Sequence, residues 1–155
     1  MLKNMNFSER LRSMSWTLGK AEEKDSNRIN ELFIEMLRTI YNTDQVNGYS
    51  DGDLDRFFDG RDEWISIAIN DDKIIAFLSM EVHHDDEEYI YLDDLSVTKQ
   101  YRNNGIGTKL ISNAEAYATD INIHAKVYLH NNGLGEPTVR GSLFSYRFYN
   151  GGVKK

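Results

Sequence analysis

The amino-acid sequence predicts an α/β fold in which helices flank a mixed, mostly antiparallel central sheet. Three observations predict it: an early amphipathic helix pattern, three consecutive segments rich in β-branched and aromatic residues, and a later strand, helix, strand order. A length of 155 residues suits one domain with a real core. We therefore expect a single domain over residues 15–155, preceded by an N-terminal extension over residues 1–14.

The composition narrows the class of protein. Cysteine is absent, which excludes disulfides, thiolate zinc sites and cysteine nucleophiles and is compatible with a reducing compartment. Residues 1–16 lack the apolar core and cleavage site of a signal peptide, and no apolar run could span a membrane. The formal net charge of −7 argues against nucleic acid as a partner and favours a cationic one. We expect a cytoplasmic protein without a membrane partner.

The first predicted elements are a short strand, "SWTLGKA" at residues 15–21, and an amphipathic helix. Apolar residues recur there at the three-and-four spacing of a helix, and Asp25 or Ser26 is placed to cap it. These apolar residues are Ile29, Leu32, Phe33, Met36, Leu37 and Ile40. A polar, turn-rich segment follows, and its apolar patch at residues 54–58 predicts a loop plus a short helix.

The next three segments predict an antiparallel meander. "WISIAIN", "KIIAFLSMEVHH" and "EYIYLDDLSV" are rich in β-branched and aromatic residues and are separated by short acidic turns. A second amphipathic helix pattern runs from Ile106 to Ala118. "INIHAKVYLH" then predicts a strand reached by a crossover, so it should pair in parallel with the last meander strand.

"RNNGIGTKL", residues 102–110, lies between the meander and the second helix and predicts an anion-binding site. A helix N-terminus leaves unpaired N–H groups and a partial positive charge, so it binds phosphate without needing lysine. Two common phosphate motifs do not fit. A P-loop has its lysine before its hydroxyl residue, whereas here Thr108 precedes Lys109, and a dinucleotide fingerprint needs glycine where Leu110 stands.

The remaining pattern, Arg-x-x-Gly-x-Gly over residues 102–107, resembles the pyrophosphate-binding motif of the GNAT superfamily of acyl-CoA-dependent N-acyltransferases. The resemblance runs from about residue 15 to residue 130, in the superfamily's order of elements. "YLDDLSVTKQYRNNGIGTKLI" is similar to the diamine and aminoglycoside acetyltransferase branches, in which an acidic pair precedes the motif. This resemblance implies a GNAT-like fold and acetyl-CoA as co-substrate.

The resemblance also implies which residues bind acetyl-CoA. Backbone groups of Leu95, Ser96 and Val97 should bind the pantetheine arm, and one N–H there should polarise the thioester carbonyl. An asparagine after the next strand, Asn131 or Asn132, matches a family position. The implied cofactor-binding set is Leu95, Ser96, Val97, Arg102, Asn103, Asn104, Gly105, Ile106, Gly107, Thr108 and Asn131. No metal is implied, because His83 and His84 are adjacent on a strand and should point apart.

Acetyl transfer to an amine needs a proton acceptor, because an alkylamine with a pKa of about 10.4 is almost wholly protonated at neutral pH. Asp93 or Asp94 could accept this proton or hold the ammonium group. Neighbours on a strand point to opposite faces, so one should face the substrate unless a bulge re-aims the other. The superfamily carries a bulge on this strand. The alternative is that both aspartates only cap a strand or pair with surface cations.

The C-terminal segment, residues 131–155, departs from the superfamily pattern. Members often carry a proton-donating tyrosine on the last helix, followed by Gly-Phe, and "RFYNGGV" offers Tyr149, with Tyr146 as a substitute. The superfamily then adds two strands, which are missing or atypical here. Either the protein lacks them, or "SLFSYRFY" is itself a strand, or the tail is an altered version of a longer product. An open sheet edge would favour pairing with another chain, such as a homodimer partner, or instability.

These observations predict transfer of an acetyl group from acetyl-CoA to a primary amine by direct attack in a ternary complex. The acidic meander favours a small polycationic acceptor of the polyamine or aminoglycoside type, with a protein or peptide amine as the alternative. A second alternative is a CoA-binding module with impaired catalysis, because the C-terminal segment departs from the pattern.

Overall fold

A six-stranded sheet runs through the part of the chain that the computed structural model describes, residues 6, 15–60, 62–84, 86, 88–120, 127–131 and 148–150. Its strands are β1 (Thr17–Lys20), β2 (Glu63–Asn70), β3 (Lys73–His84), β4 (Glu88–Val97), β5 (Val127–Asn131) and β6 (Phe148–Asn150). The helices are α1 (Ser26–Tyr41), α2 (Arg56–Asp59) and α3 (Ile106–Asp120), with 3-10 turns at Glu23–Asp25 and Lys99–Tyr101. None of the helices described is long and apolar enough to cross a membrane.

The strands lie in the sheet in the order in which they occur in the sequence. β1, β2, β3 and β4 pair successively in antiparallel fashion, which confirms the predicted meander. β5 pairs in parallel with β4 after the crossover through α3, as the strand, helix, strand order predicts. β6 then pairs in parallel with β5. The predicted fold class is therefore confirmed.

The sheet separates two apolar cores. On one face, Ile106, Leu110 and Ile111 of α3 are buried against the inward side of β3 and β4. On the other face, Ile29 and Leu32 of α1 are buried with apolar residues of β2 and β3. α3 buries residues spaced three and four apart, as its pattern predicts, whereas α1 buries Ile29 and Leu32 and leaves the other apolar residues of its pattern partly exposed. Burial of each such side chain stabilises the fold by about 1.5–3 kcal/mol.

The N-terminus of α1 differs in detail from the expected cap. Asp25 is the N-cap residue, but its side chain makes no capping bond to α1. It accepts a hydrogen bond from the Glu22 N–H at 2.9 Å instead, as part of a capping box on the preceding 3-10 turn. The predicted cap position is right, whereas the carboxylate stabilises the turn before the helix.

The C-terminal segment contains one described strand beyond β5. Phe148–Asn150 forms β6, so the interpretation of "SLFSYRFY" as a strand holds for its last two residues, Phe148 and Tyr149. Tyr149 consequently lies on a strand and not on a helix. Residues 132–147 and 151–155, and the predicted N-terminal extension apart from residue 6, lie outside the described part.

Candidate active site

A cleft of about 570 Å³ lies where α1, β4 and the start of α3 meet. Its walls are formed by Met36, Thr39, Ile40, Leu95, Ser96, Val97, Tyr101, Arg102, Asn103, Gly105, Ile106, Gly107 and Thr108. Nine of the predicted cofactor-binding residues therefore line one cavity, although they come from a strand, a loop and a helix. The three residues from α1 add a largely apolar wall that the sequence pattern did not indicate.

Asn104 and Asn131 are the two predicted residues with a different placement. The Asn104 side chain donates hydrogen bonds to the carbonyls of Tyr101 at 3.1 Å and Arg102 at 3.3 Å, so it stabilises the loop. The backbone of Asn131 ends β5 and pairs with Asn150 of β6. Its side chain lies outside the described part of the chain.

The turn into α3 depends on two residues with a left-handed backbone, Asn103 with φ 66° and Gly105 with φ 80°. Asparagine tolerates this conformation and glycine favours it. A Cβ placed on Gly105 would meet nothing within 4 Å, so the backbone conformation and not crowding requires glycine. Gly107 is buried in the first turn of α3 and does not have a positive φ. Of the two motif glycines, Gly105 therefore adopts the left-handed conformation and Gly107 does not.

The start of α3 presents backbone N–H groups to the cleft. The first hydrogen bond of this helix runs from the Lys109 N–H to the Gly105 carbonyl at 2.9 Å. Ile106 and Gly107 precede that bond and line the cleft, and the first turn of α3 contains no acidic residue. Unpaired N–H groups and the helix dipole attract negative charge. This end of the cleft therefore suits an anionic group such as a phosphate.

Glu35 of α1 ties that helix to the loop leading into α3. Its carboxylate accepts hydrogen bonds from the Thr98 hydroxyl at 3.0 Å and the Lys99 N–H at 2.8 Å. It also pairs with Arg102 at 3.4 Å, and Arg102 donates a further bond to the Val97 carbonyl at 2.8 Å. Arg102, which is predicted to bind an anion, thus contacts Glu35 and the Val97 carbonyl in this structure. Sequence reasoning missed Glu35, because one acidic residue on the polar side of a helix is unremarkable.

A β-bulge on β4 carries Asp93 and Asp94. Leu95 pairs with Leu78, and Leu92 pairs with Met80, so two residues of β4 lie opposite the single residue Ser79. The buried Ser79 hydroxyl accepts a hydrogen bond from the Asp94 N–H at 2.9 Å. Because Leu95 follows directly and lines the cleft, the bulge lies at the edge of the cavity.

Asp93 and Asp94 both raise the pKa of the same two tyrosines, Tyr49 and Tyr91. The Tyr49 hydroxyl donates a hydrogen bond to Asp94 Oδ2 at 2.7 Å. Burial, followed by Asp94 and Asp93, raises the pKa of Tyr49 well above its ordinary value. Burial, followed by Asp93, Glu81 and Asp94, raises the pKa of Tyr91 to about 12. The strand carries the bulge that the resemblance implies, and both carboxylates influence one pair of phenols.

Tyr49 belongs to the loop between α1 and α2, and α1 holds it firmly. Its ring stacks on Phe33 with centroids 3.9 Å apart, and its N–H donates to Asn30 Oδ1 at 2.7 Å. Gly48 approaches so closely that a Cβ there would lie 2.2 Å from Asn30 Oδ1 and 2.9 Å from Ile34 Cδ1. Sequence reasoning missed Tyr49. The available indication was a Gly-Tyr pair inside an otherwise polar loop.

Further carboxylates extend the acidic surface along the meander. Glu63 and Glu81 face each other across β2 and β3, and the Arg56 guanidinium bonds to both of them. Burial raises the pKa of Glu81, but the hydrogen bond and charge of Arg56 outweigh it and hold that pKa below its usual range. Arg56 is itself packed over the Phe57 ring at 4.2 Å. One guanidinium therefore links the two carboxylates.

The two adjacent histidines make separate contacts at the end of the hairpin. His83 Nε2 lies 3.0 Å from Glu81 Oε2, while His84 lies 3.2 Å from Asp62 and 2.6 Å from Glu88. Hydrogen bonds to Asp62 and Glu88 raise the pKa of His84. Within the described ranges, no group of three or more His, Asp or Glu side chains is placed to hold a metal ion.

The predicted proton donor lies in β6. Tyr149 pairs through its backbone with His130 of β5, two strands away from the bulge on β4. Its side chain lies outside the described part of the chain, as does all of Tyr146. Their role remains a prediction.

The fold is an antiparallel meander with a bulge on its fourth strand, followed by a helix whose N-terminus lines the cleft. The sequence model of the acetyltransferase (GNAT) family matches residues 34–136, more than half of the chain. The chain belongs to this family, and it is an acetyltransferase.

Solved structures share this fold at low sequence identity. A tetramutant of the BH1408 protein from Bacillus halodurans has a TM-score of 0.64 at 15% identity, covering 73% of this chain and 81% of that chain. An aminoglycoside acetyltransferase, meta-AAC0020, from an uncultured soil metagenomic sample has a TM-score of 0.60 at 17% identity, covering 90% and 97%. A ribosomal-protein-alanine N-acetyltransferase from Brucella melitensis biovar Abortus 2308 has a TM-score of 0.58 at 15% identity, covering 74% and 79%. At these identities the likeness shows the fold. No curated protein sequence matches the chain.

Proposed function

We propose that the protein transfers an acetyl group from acetyl-CoA to a primary amine of a small polycationic molecule, by direct attack in a ternary complex. The observation that carries the proposal is that the acidic pair and the cleft-lining residues follow each other directly on β4. Leu95, Ser96 and Val97 line the cleft, and the acidic pair Asp93 and Asp94 immediately precedes them on the bulge. A donor held in the cleft and an amine held by the aspartates would meet at this point.

The donor side of the proposal rests on backbone groups. The N–H groups of Ile106 and Gly107 at the start of α3 suit the pyrophosphate. The Ser96 hydroxyl donates to the Leu32 carbonyl at 2.8 Å, so its side chain is committed to α1 and its backbone is the part that can serve a ligand. A backbone N–H next to the bulge would polarise the thioester carbonyl and stabilise the oxyanion that develops there.

The acceptor side needs a proton acceptor and a proton donor. Asp93 and Asp94 would hold the ammonium group and take its proton, so that the amine nitrogen bonds to the acetyl carbon as the carbon–sulfur bond breaks. The thiolate then needs a proton. Tyr49 and Tyr91 are poorly suited to donate it, because their raised pKa values make them weaker acids than an ordinary phenol. We assign this step to Tyr149, with Tyr146 as its substitute.

The charge of the surface beside the cleft supports a polycationic acceptor. Four carboxylates, Glu63, Glu81, Asp93 and Asp94, lie along the β2, β3 and β4 segments next to the bulge, and Arg56 bonds to two of them. One fold neighbour is an aminoglycoside acetyltransferase crystallised with sisomicin. Another fold neighbour is a ribosomal-protein-alanine N-acetyltransferase. A protein amine is therefore the second candidate acceptor.

Two measurements test the proposal. Isothermal titration with CoA tests the donor site, and release of free thiol from acetyl-CoA tests turnover with spermidine, spermine, sisomicin and an alanine-terminated peptide. We expect binding of CoA and thiol release with at least one polyamine or aminoglycoside. Release with the peptide alone would move the acceptor class to proteins. CoA binding without thiol release for any amine would contradict the proposal, and absence of CoA binding would overturn the donor assignment.

A further inference from the structure

We propose that Tyr49 is a positioning residue that orients Asp94 for the reaction, so that the loop between α1 and α2 forms one wall of the acceptor site. This inference rests on the proposed function, because Asp94 has a chemical role only if an amine reaches the bulge. It goes beyond that function by assigning a role to a residue outside the family motif and outside β4.

Tyr49 is held in place by α1, independently of its hydrogen bond to Asp94. The ring stacks on Phe33 at an interplanar angle of 16°, and the N–H bonds to Asn30. Gly48 lies against the same helix, since a Cβ there would overlap Asn30 and Ile34. These contacts come from two adjacent loop residues, Gly48 and Tyr49, and all of them end on α1. The direction of the Tyr49 hydroxyl is therefore set by the helix and not by the loop alone.

Asp94 is held from two sides. Its N–H donates to the Ser79 hydroxyl at 2.9 Å, which fixes the backbone of the bulge. Its Oδ2 accepts the Tyr49 hydroxyl at 2.7 Å, which selects one side-chain orientation. A bulge by itself determines where the Cα–Cβ bond points but leaves the carboxylate free to rotate. The hydrogen bond from Tyr49 restrains that rotation.

The protonation state of Tyr49 depends on burial and on the charges around it. Asp93 of β4 and Arg56 of α2 act on Tyr49, together with Asp94. Tyr91 of β4 is influenced by the same two aspartates and by Glu81 of β3. Burial and the two aspartates raise the pKa of the Tyr49 phenol, so it stays protonated and donates to Asp94 at neutral pH. Donation to a carboxylate favours its ionised form, which is the form that binds an ammonium group.

The competing explanation is that Tyr49 only anchors the loop. Tyr49→Phe separates the two, because phenylalanine keeps the ring and its stacking on Phe33 but removes the hydroxyl. We expect the kcat/KM for the best amine to fall about tenfold, the usual scale for a hydrogen bond to a charged group. The acidic limb of the pH–rate profile should also move to higher pH, because the carboxylate loses a donor to its ionised form. CoA affinity should stay at the wild-type value.

Two further variants complete the experiment. Tyr117→Phe is the matched control, because Tyr117 packs on Trp64 on the opposite face of the sheet, and it should leave rate and profile unchanged. Asp94→Asn should lose most activity, and adding Tyr49→Phe to it should lower the rate less than twofold further, since the partner of the hydroxyl is altered already. The same tenfold factor in both backgrounds, or an unshifted profile for Tyr49→Phe, would overturn the positioning role. Absence of thiol release by the wild type would instead overturn the proposed acceptor chemistry, and this inference with it.

Discussion

The carboxylate of Glu35 accepts a hydrogen bond from the backbone N–H of Lys99 at 2.8 Å, although the two residues lie 64 positions apart. The same carboxylate binds the Thr98 hydroxyl and pairs with Arg102. The Glu35 side chain of α1 thus contacts three residues of the segment that leads into α3. The cleft depends on this contact, because it joins the wall formed by α1 to the loop that leads into α3.

Replacement of Glu35 by alanine should loosen this approach and weaken CoA binding. Several hydrogen bonds end on the carboxylate, so we expect a loss of about 1–3 kcal/mol in the free energy of unfolding and a roughly tenfold higher Kd for CoA. Urea denaturation and isothermal titration measure the two effects. Glu31→Ala is the control, since Glu31 lies on the same helix and pairs only with Arg28 at 3.2 Å among the contacts described. A wild-type Kd for Glu35→Ala would show that the loop holds its shape without α1.

Gly105→Ala should destabilise the protein even though the added methyl group meets no neighbour. The reason is the φ of 80°, which costs an L residue about 1–2 kcal/mol. Chemical denaturation checks this value. Gly19→Ala serves as comparison, because its new Cβ would make ordinary contact with Ile69 at 3.7 Å and no positive φ is involved. Equal effects at the two positions would refute the conformational argument.

Gly107→Glu should abolish CoA binding. The new carboxylate would enter the cleft at the helix N-terminus and occupy the position proposed for the pyrophosphate. Lys109→Glu places a carboxylate in the same helical turn at an exposed position outside the cleft lining, so it should weaken binding only slightly. Titration with CoA distinguishes them. Similar losses for both variants would mean that charge near the helix, and not occupancy of the cleft, governs affinity.

Tyr149→Phe should lower turnover and leave CoA binding intact if Tyr149 protonates the departing thiolate. We expect a fall of about 10²-fold in kcat, the lower end of the range for loss of a general acid. Thiol-release kinetics from pH 6 to pH 10 and CoA titration are the measurements. Tyr146→Phe shows whether the neighbouring tyrosine supplies the proton instead. Full activity of Tyr149→Phe across this pH range would remove it from the mechanism.

The Arg56–Glu81 pair should make stability depend on pH. The pKa of Glu81 is lower in the folded protein than the ordinary glutamate value of 4.5, so the pair stabilises the fold above that pH. The contribution is lost as the pH falls through the lowered value, because the carboxylate is then protonated. Arg56→Met leaves Glu63 and Glu81 opposed, and should destabilise by about 1–2 kcal/mol at pH 7 but less near pH 3.

Urea unfolding at the two pH values checks this prediction. Arg38→Met is the control, because its contact with the exposed Asp44 is 3.8 Å long and should contribute little at either pH. A destabilisation of Arg56→Met that is the same at both pH values would point to lost packing on Phe57 instead of lost charge.

The parts of the fold that depend on local order were predictable. The buried residues Ile29 and Leu32 of α1 and the buried stripe of α3 follow from apolar residues three and four apart, and the meander follows from segments rich in β-branched and aromatic residues that are separated by short turns. The turn into α3 was predictable for the same reason. Its glycine and asparagine positions are contiguous, so the motif over residues 102–107 carries its own backbone geometry.

By itself, the sequence determined the class of fold, the location of the turn into α3 that is proposed to bind an anion, and the acidic pair on β4. Only the tertiary structure decided which residues form the walls of the cleft and how the Asp94 side chain is oriented. Tyr49 reaches Asp94 across 45 positions, and Glu35 reaches Lys99 across 64. Such contacts leave no periodicity and no motif in the sequence, because they arise when α1 packs against the sheet. The orientation of Asp94 likewise requires Ser79 on a different strand, opposite the two residues of the bulge.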